Sequence, residues 1–315
     1  MPEARRVHVG VAGWSYPDWR DTVYRLPAGP VPADLFGGAA SRPATYPRDE
    51  LVFLAGYVDM IEIDNPFYRI PTVRTVDSWA KRVAGLADFF FTAKLNHEFT
   101  HEFHLSKPLA AEYRAALRPL TDAARLRGLL AQFRYDFADT PDARTVLRWI
   151  HQEFAGFAPL IVEVRHKSWE APAATGFFQD LGVVVANLDY PTANDSFNPY
   201  KCTLGGSGYL RLHGRNRQAW FSRDASPAET YNYDYSEAEI AELAKRSRDL
   251  LGDVRELTIV ANNHYQGKAV SAALRLKSEL TQQQVPVPPA LLETYPILKK
   301  ILATDAGGGA GPTAG

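Results

Sequence analysis

Cysteine is all but absent: Cys202 is the single one in 315 residues. No disulfide can form within the chain and no thiolate cluster can hold zinc, so a reducing compartment suits it. Cys202 itself reads as a small apolar residue in a glycine-rich stretch. Charge of one sign is missing too. Lys and Arg number 35 against 36 Asp and Glu, for a net charge of −1 and a pI near 6.7. That balance builds no long-range field for nucleic acid or an anionic membrane, although it leaves room for a local basic site. No run of about 18 apolar residues is present, and the opening M-P-E-A-R-R lacks the apolar stretch of a secretion signal. The expectation is a cytoplasmic protein with no membrane partner. A P-loop and a G-x-G-x-x-G turn are both missing, so phosphates would find no ready-made loop of either kind.

What remains is ordinary globular composition, 46% hydrophobic. The stretch that organises it is L-I-V-E-V-R-H-K-S-W, from Leu160. In an extended strand successive side chains point to opposite faces, so Val162 and Val164 share one face and Glu163 and Arg165 the other. Y-L-R-L-H-G repeats the arrangement with Leu210 and Leu212 against Arg211 and His213. M-I-E-I-D-N repeats it again with Ile61 and Ile63 against Glu62 and Asp64.

Eight apolar strands are expected, within 7–13, 58–64, 89–95, 127–133, 160–166, 183–188, 209–213 and 257–262. Helical spacing lies between most of them. Thr72, Thr140 and Ser236 stand where N-caps belong, Pro141 in a first turn, and Ser236 with Glu239 spells a capping box. A loop fills 96–105, and an irregular segment from Tyr190 to Gly208 replaces a helix. Strands alternating with helices mean a parallel sheet with helical crossovers. Eight such units favour an α/β fold of the TIM type, a closed (β/α)8 barrel, over an open doubly wound sheet. The expected organisation is one domain over 1–303, with a long first βα connection at about 14–47 and a disordered tail at 304–315.

Strands of a parallel barrel should be apolar on both faces. Here the two-residue parity places a polar set at the C-terminal strand ends, where barrel enzymes carry their sites. The set is Glu62 and Asp64, Thr92 and Lys94, Gln132, Glu163 and Arg165, Asn187 and Asp189, Arg211 and His213, Asn262 and His264, with Gly13 leaving space on the first strand. Burying so many ionisable groups is costly unless they pair or serve a ligand. A satisfied internal network, such as Glu163 with Arg211 or Lys94, is one reading. The other is a substrate site, and one cluster can be both.

Lys94, Arg165 and Arg211 interleave with the carboxylates, which disfavours a divalent ion and favours an anionic organic ligand. Glu62, Glu163 and His213 are then the candidates for moving protons. Arg215 and Arg217 follow strand seven, and Gly267 with Lys268 opens the last barrel helix, where barrels often hold phosphate. Aromatic residues crowd the same rim, among them Trp14, Tyr16, Trp19, Phe67, Tyr68, Trp169, Trp220 and Tyr231, and rings above a polar floor stack a sugar or a base. His97, His101 and His104 have a loose metal-like spacing, for which solvated or capping roles are the simpler account.

Several motifs together resemble the YecE-like family, the domain of unknown function numbered 72. They are G-W-S-Y-P-D-W at 13–19, E-I-D-N-P-F-Y-R-I-P at 62–71, T-A-K at 92–94, T-H at 100–101, E-V-R-H-K-S-W at 163–169, Y-L-R-L-H-G-R at 209–215 and N-N-H at 262–264. The resemblance implies a TIM-type barrel and no established activity. Within these motifs stand Trp14, Asn65, Tyr68, His101, Trp169, Arg215, Asn262, Asn263 and His264, which are counted among the residues expected around a ligand. The chain departs from the family pattern at Asp64 and at Phe133-Arg134, where the family shows Asn and x-Pro. The preferred reading is an enzyme acting on a small anionic molecule, a phosphorylated sugar or nucleotide-like compound. No cofactor is expected. Two alternatives stay open: a metal-dependent phosphodiester hydrolase or nucleic-acid-processing enzyme, and a non-catalytic ligand-binding barrel.

Overall fold

The computed structural model describes residues 5–27, 44–198 and 206–303. The expected tail at 304–315, residues 28–43 of the long first connection and Cys202 lie outside the described residues. The strands are β1 (Arg6–Ala12), β2 (Met60–Ile63), β3 (Phe90–Lys94), β4 (Leu126–Gln132), β5 (Leu160–Glu163), β6 (Val184–Val185), β7 (Asn187–Asp189), β8 (Ser207–Leu212) and β9 (Glu256–Ala261). All pairings between them are parallel, in the order β6-β5-β4-β3-β2-β1-β9-β8-β7. The two ends of this order, β6 and β7, are consecutive in the chain and separated by Ala186 alone. They are one barrel strand in two pieces, the first pairing β5 and the second pairing β8. The sheet therefore comes round almost to closure, with the single expected strand at 183–188 broken at the seam. This is the TIM-type barrel.

Helices form the outer layer because their apolar stripes match the outward strand faces. Val76, Trp79 and Ala80 are the buried positions of the helix Val73–Arg82. Val146, Leu147, Ile150 and Phe154 play that part in Pro141–Phe154. The expected caps are in place: Thr72 accepts from Thr75 N, Thr140 from Ala143 N, and Ser236 with Glu239 closes a reciprocal capping box. Loops set closely over the mouth start short helices that apolar spacing does not announce. The histidine-rich stretch expected to be a loop contains a helical turn, His97–Thr100, capped by the Asn96 side chain.

Two apolar clusters follow from the strand parity. The larger lies between barrel and helices and contains Val9, Val11, Ile61, Ile63, Ala93, Val162, Val164, Leu210 and Leu212. The smaller fills the lower barrel interior with Ala12, Met60, Phe90, Leu130, Ile161, Ala186, Leu188, Tyr209 and Val260, and reaches Tyr190 nearer the C-terminal mouth. Above it, on the same inward face, begins the polar set.

Candidate functional site

Neighbours across a parallel ladder point the same way, so register fixes which strand-end residues share the interior. Ala12 lies beside Glu62, Glu62 beside Thr92, and Gln132 beside Glu163. Leu188 lies beside Arg211. Glu62, Thr92, Lys94, Gln132, Glu163, Arg165, Arg211 and His213 thus line one chamber, as the two-residue parity requires.

Arg211 is its centre. One guanidinium nitrogen, Nη2, donates to Glu62 Oε1 at 2.6 Å. The other, Nη1, donates to Glu163 Oε2 at 2.5 Å and to Gln132 Oε1 at 2.9 Å. All three charged side chains are 0% exposed. Glu62 also accepts from the Tyr209 hydroxyl at 2.8 Å, which in turn meets Thr92 Oγ1 at 2.8 Å. Glu163 has a second cation: Arg165 donates to its Oε1 from Nε at 2.9 Å and from Nη2 at 2.7 Å. Lys94 Nζ stands 2.8 Å from Asp64 Oδ1. The internal network envisaged from sequence exists, with Lys94 joined to Asp64 rather than to Glu163.

These environments drive the two glutamates apart. Burial pushes Glu62 above the usual carboxylate range, opposed by Arg211 and Lys94. Burial would raise Glu163 as well, but Arg211, then Arg165, then His213 hold it well below that range. The His213 ring is enclosed, and burial pushes its pKa down to about 4, against the pull of Glu163. It is neutral at pH 7, not poised near neutrality as its residue type suggests. Its Nδ1 faces the Asn262 amide nitrogen at 3.1 Å and its Nε2 faces Glu163 Oε1 at 3.4 Å. An amide donating to Nδ1 leaves the proton on Nε2, toward Glu163.

Above the imidazole lies an aromatic screen. Trp220, Tyr231 and Tyr190 have ring centres 5.7, 6.3 and 6.4 Å from that of His213. Beyond them opens a pocket of about 420 Å3, lined among others by Arg165, Tyr190, Ser196, Trp220, Arg223 and Tyr231. Arg165 joins the two compartments: its guanidinium holds Glu163 on one side and lies 5.3 Å from the centre of the Trp220 ring on the other. His264 stands at the rim between Tyr16 at 4.4 Å and Tyr231 at 5.1 Å. Tyr190, Ser196 and Arg223 belong to connections whose fold strand parity does not reach, and were missed. Tyr209 was missed although it shares the parity of Arg211 and His213.

Other expected residues stand elsewhere. Asn187 and Asp189 lie beside Leu210 and Leu212, which face outward, so both point away from the chamber. The inward positions of that strand are Ala186 and Leu188; polarity alone points to Asn187 and Asp189, and the pairing with β8 decides the other way. Asp189 is tied to Arg215 at 2.7 Å and to the Tyr235 hydroxyl at 2.6 Å. Arg215 also reaches Glu239 and Glu242, which makes it a clasp for the helix Glu237–Asp253 and not an open phosphate ligand. The start of the helix Lys268–Thr281 is likewise occupied. Gln266 N donates to the Asp18 carboxylate at 2.5 Å, and a Cβ on Gly267 would stand 2.7 Å from Val23 and 3.1 Å from Leu291. Lys268 Nζ is bound to the Asn232 side chain.

Trp169 is fully buried outside the barrel, stacked on Phe137 at 5.6 Å and donating to its carbonyl at 2.7 Å. Trp14 packs edge-on against Trp79 of the helical layer. Asn263 points outward and donates to Tyr233 O. Gly13, at φ +71°, does not leave open space: its missing Cβ would meet the Tyr16 hydroxyl at 2.5 Å. Asn65 is exposed at the start of a helical turn, and Tyr68 is 75% exposed. His101 sits against Phe67 and lines a separate groove of about 490 Å3 with Phe103 and Arg134. Its Nδ1 meets Thr100 Oγ1 at 2.9 Å, and His104 pairs with Glu98. Among the described residues no three His, Cys, Asp or Glu side chains converge as a metal site, and no helix is long and apolar enough to cross a membrane.

The sequence profile of the family described as "Protein of unknown function DUF72" matches residues 8–294. The UPF0759 protein YunF of Bacillus subtilis is 22% identical over 304 residues, 92% of this chain and 100% of that protein. A DUF72 family protein from Enterococcus faecalis superposes with a TM-score of 0.70 at 22% identity, over 87% of this chain and 95% of that one. One from Thermotoga maritima gives 0.68 at 25% identity, over 88% and 99%.

Proposed function

The chain belongs to the DUF72 family, and from that premise we propose an enzyme that binds a small anionic, ring-bearing molecule at the C-terminal barrel mouth and moves a proton on it. A phosphorylated sugar or a nucleotide-like compound is the substrate class. Arg165 is the observation that carries this reading. It is the cation that belongs both to the buried network and to the ring-lined pocket. Its contact with Glu163 fixes the guanidinium, so little side-chain freedom is lost when an anion docks. Trp220 and Tyr231 supply faces for a ring, and Arg223 a second positive charge.

Proton transfer is assigned to His213 with Glu163 behind it. With its proton on Nε2, the neutral imidazole accepts at Nδ1 once the Asn262 amide that donates there gives way, and an ionised carboxylate 3.4 Å from Nε2 stabilises the imidazolium that forms. Glu62, enclosed with Arg211, sets the field from below. Because Trp220 and Tyr231 stand between His213 and the pocket, the reaction requires that screen to part. The test is calorimetry with a panel of sugar phosphates and nucleotides, followed by product analysis. Binding that Arg165→Gln weakens, with turnover that His213→Ala abolishes, supports the proposal. Binding without product from any member would leave a binding barrel, and binding indifferent to Arg165 would move the site.

A further inference from the structure

The barrel has a second cavity at its opposite mouth. About 340 Å3 in volume, it is bounded by residues at the N-terminal ends of the strands. In this architecture that end serves stability and is ordinarily filled by side chains. Here Phe90, Ile161, Val184 and Tyr209 form the walls, and Arg127 with Glu256 stands at the rim. The walls are mainly apolar, with the hydroxyls of Thr92, Ser207 and Thr258 among them, while the rim is ionic. Arg127 lies 4.4 Å from the centre of the Phe90 ring. Glu256 Oε1 is 3.3 Å from Arg127 Nη1 and 2.8 Å from His8 Nε2.

We propose that this N-terminal cavity binds a small monocarboxylate with a compact apolar body, an aryl or branched-chain acid. The volume falls at the lower end of the range of small-molecule sites, about 300–1,000 Å3. Its walls disfavour polyols and sugar phosphates, most of whose hydroxyls would be desolvated against Phe90, Leu126, Ile161 and Val184, with only a few wall hydroxyls to meet them. A planar guanidinium already seated on a ring suits a carboxylate, which it can hold through two parallel hydrogen bonds. Its present partner is easily exchanged. Glu256 makes its shorter contact to His8, so an incoming carboxylate takes Arg127 and leaves Glu256 paired. The cavity shares no lining residue with the pocket at Arg165, so this inference stands apart from the function proposed above.

The test uses the full chain at neutral pH, with benzoate as probe and benzyl alcohol as its uncharged counterpart, followed by titration calorimetry or ligand-observed NMR. Arg127→Gln is expected to weaken benzoate about tenfold and to leave benzyl alcohol within about twofold. Val184→Phe fills the cavity and should remove both. Thr258 also lines the cavity, and Thr258→Leu, a milder filling of the same space, keeps the test meaningful if the phenylalanine variant misfolds. Arg165→Gln, at the other mouth, should change neither. Benzoate binding that survives both Arg127→Gln and the filling variants overturns the proposal. So does binding lost in Arg165→Gln instead, or no binding at millimolar benzoate.

Discussion

Arg211→Met is the most informative perturbation of the buried network. The guanidinium compensates two carboxylates that have no solvent access. After its removal Glu163 retains Arg165 at 2.7 Å, whereas Glu62 retains only the Tyr209 hydroxyl among its direct partners. Glu62 is therefore the stranded charge. Breaking a buried pair by removing one partner costs about 3–5 kcal/mol. The loss should be partly reversed by a second change, Glu62→Gln, because the pair couples and their effects do not add. Denaturant unfolding measures both. The pH dependence supplies an independent check. Burial already holds Glu62 above its unfolded value of about 4.3, and loss of the cation raises it further. A carboxyl with a raised folded pKa keeps a proton that the unfolded chain releases, so stability falls as pH rises from the unfolded value through the folded one. The deficit of Arg211→Met should thus be larger at about pH 8 than at about pH 5. A loss below about 1 kcal/mol would refute the reasoning, as would one that shrinks with rising pH or one that simply adds to that of Glu62→Gln.

Further outcomes are expected. The His213 imidazole should titrate near 4 by NMR, and a midpoint near its ordinary value of about 6.5 would mean the ring is solvated. Because the unfolded chain takes up that proton first as pH falls, this residue costs the fold stability below about pH 6.5, and His213→Gln should flatten that part of the stability profile. Trp169→Ala should cost about 3–5 kcal/mol through its cavity and lost hydrogen bond, yet leave ligand binding at the mouth intact; a selective loss of binding would return Trp169 to the site. Gly10→Ala should destabilise by about 1–3 kcal/mol or more, because its Cβ would lie 1.9 Å from the Met60 carbonyl oxygen, a backbone atom. An unchanged denaturation midpoint for that variant would show that β1 and β2 can separate freely.

The barrel and its polar chamber were legible because both rest on a period of two. Val162 and Val164 against Glu163 and Arg165 state a face directly, and the register confirms it. The same rule failed at 183–188 because the valines at 183 and 185 and the leucine at 188 stand at opposite parities. A strand of mixed parity has two solutions, and polarity chose the wrong one; the break at Ala186 lies there. Loop residues were legible only as types. That Arg215 is claimed by Asp189, Glu239 and Glu242 depends on the later helix Glu237–Asp253 being folded back beside it.

Polar residues at strand ends thus have two uses, and residue type does not separate them. Asp189 and Glu163 both end strands, and both are ion-paired to arginine. Asp189 faces outward and fastens a helix; all its partners are internal, and none lines the pocket. Glu163 faces inward, and one of its arginines also forms the pocket wall. A charge bound to only internal partners stabilises or specifies the fold. One that reaches a cavity through a shared arginine can respond to a ligand, because an anion docking on Arg165 competes directly for the hydrogen bonds that hold Glu163 and, through it, His213. Under the proposed function, turnover therefore turns on how Arg165 divides its donors between Glu163 and a guest, a division that Arg165→Lys, with one point charge in place of a fork, should disturb even though the charge is kept.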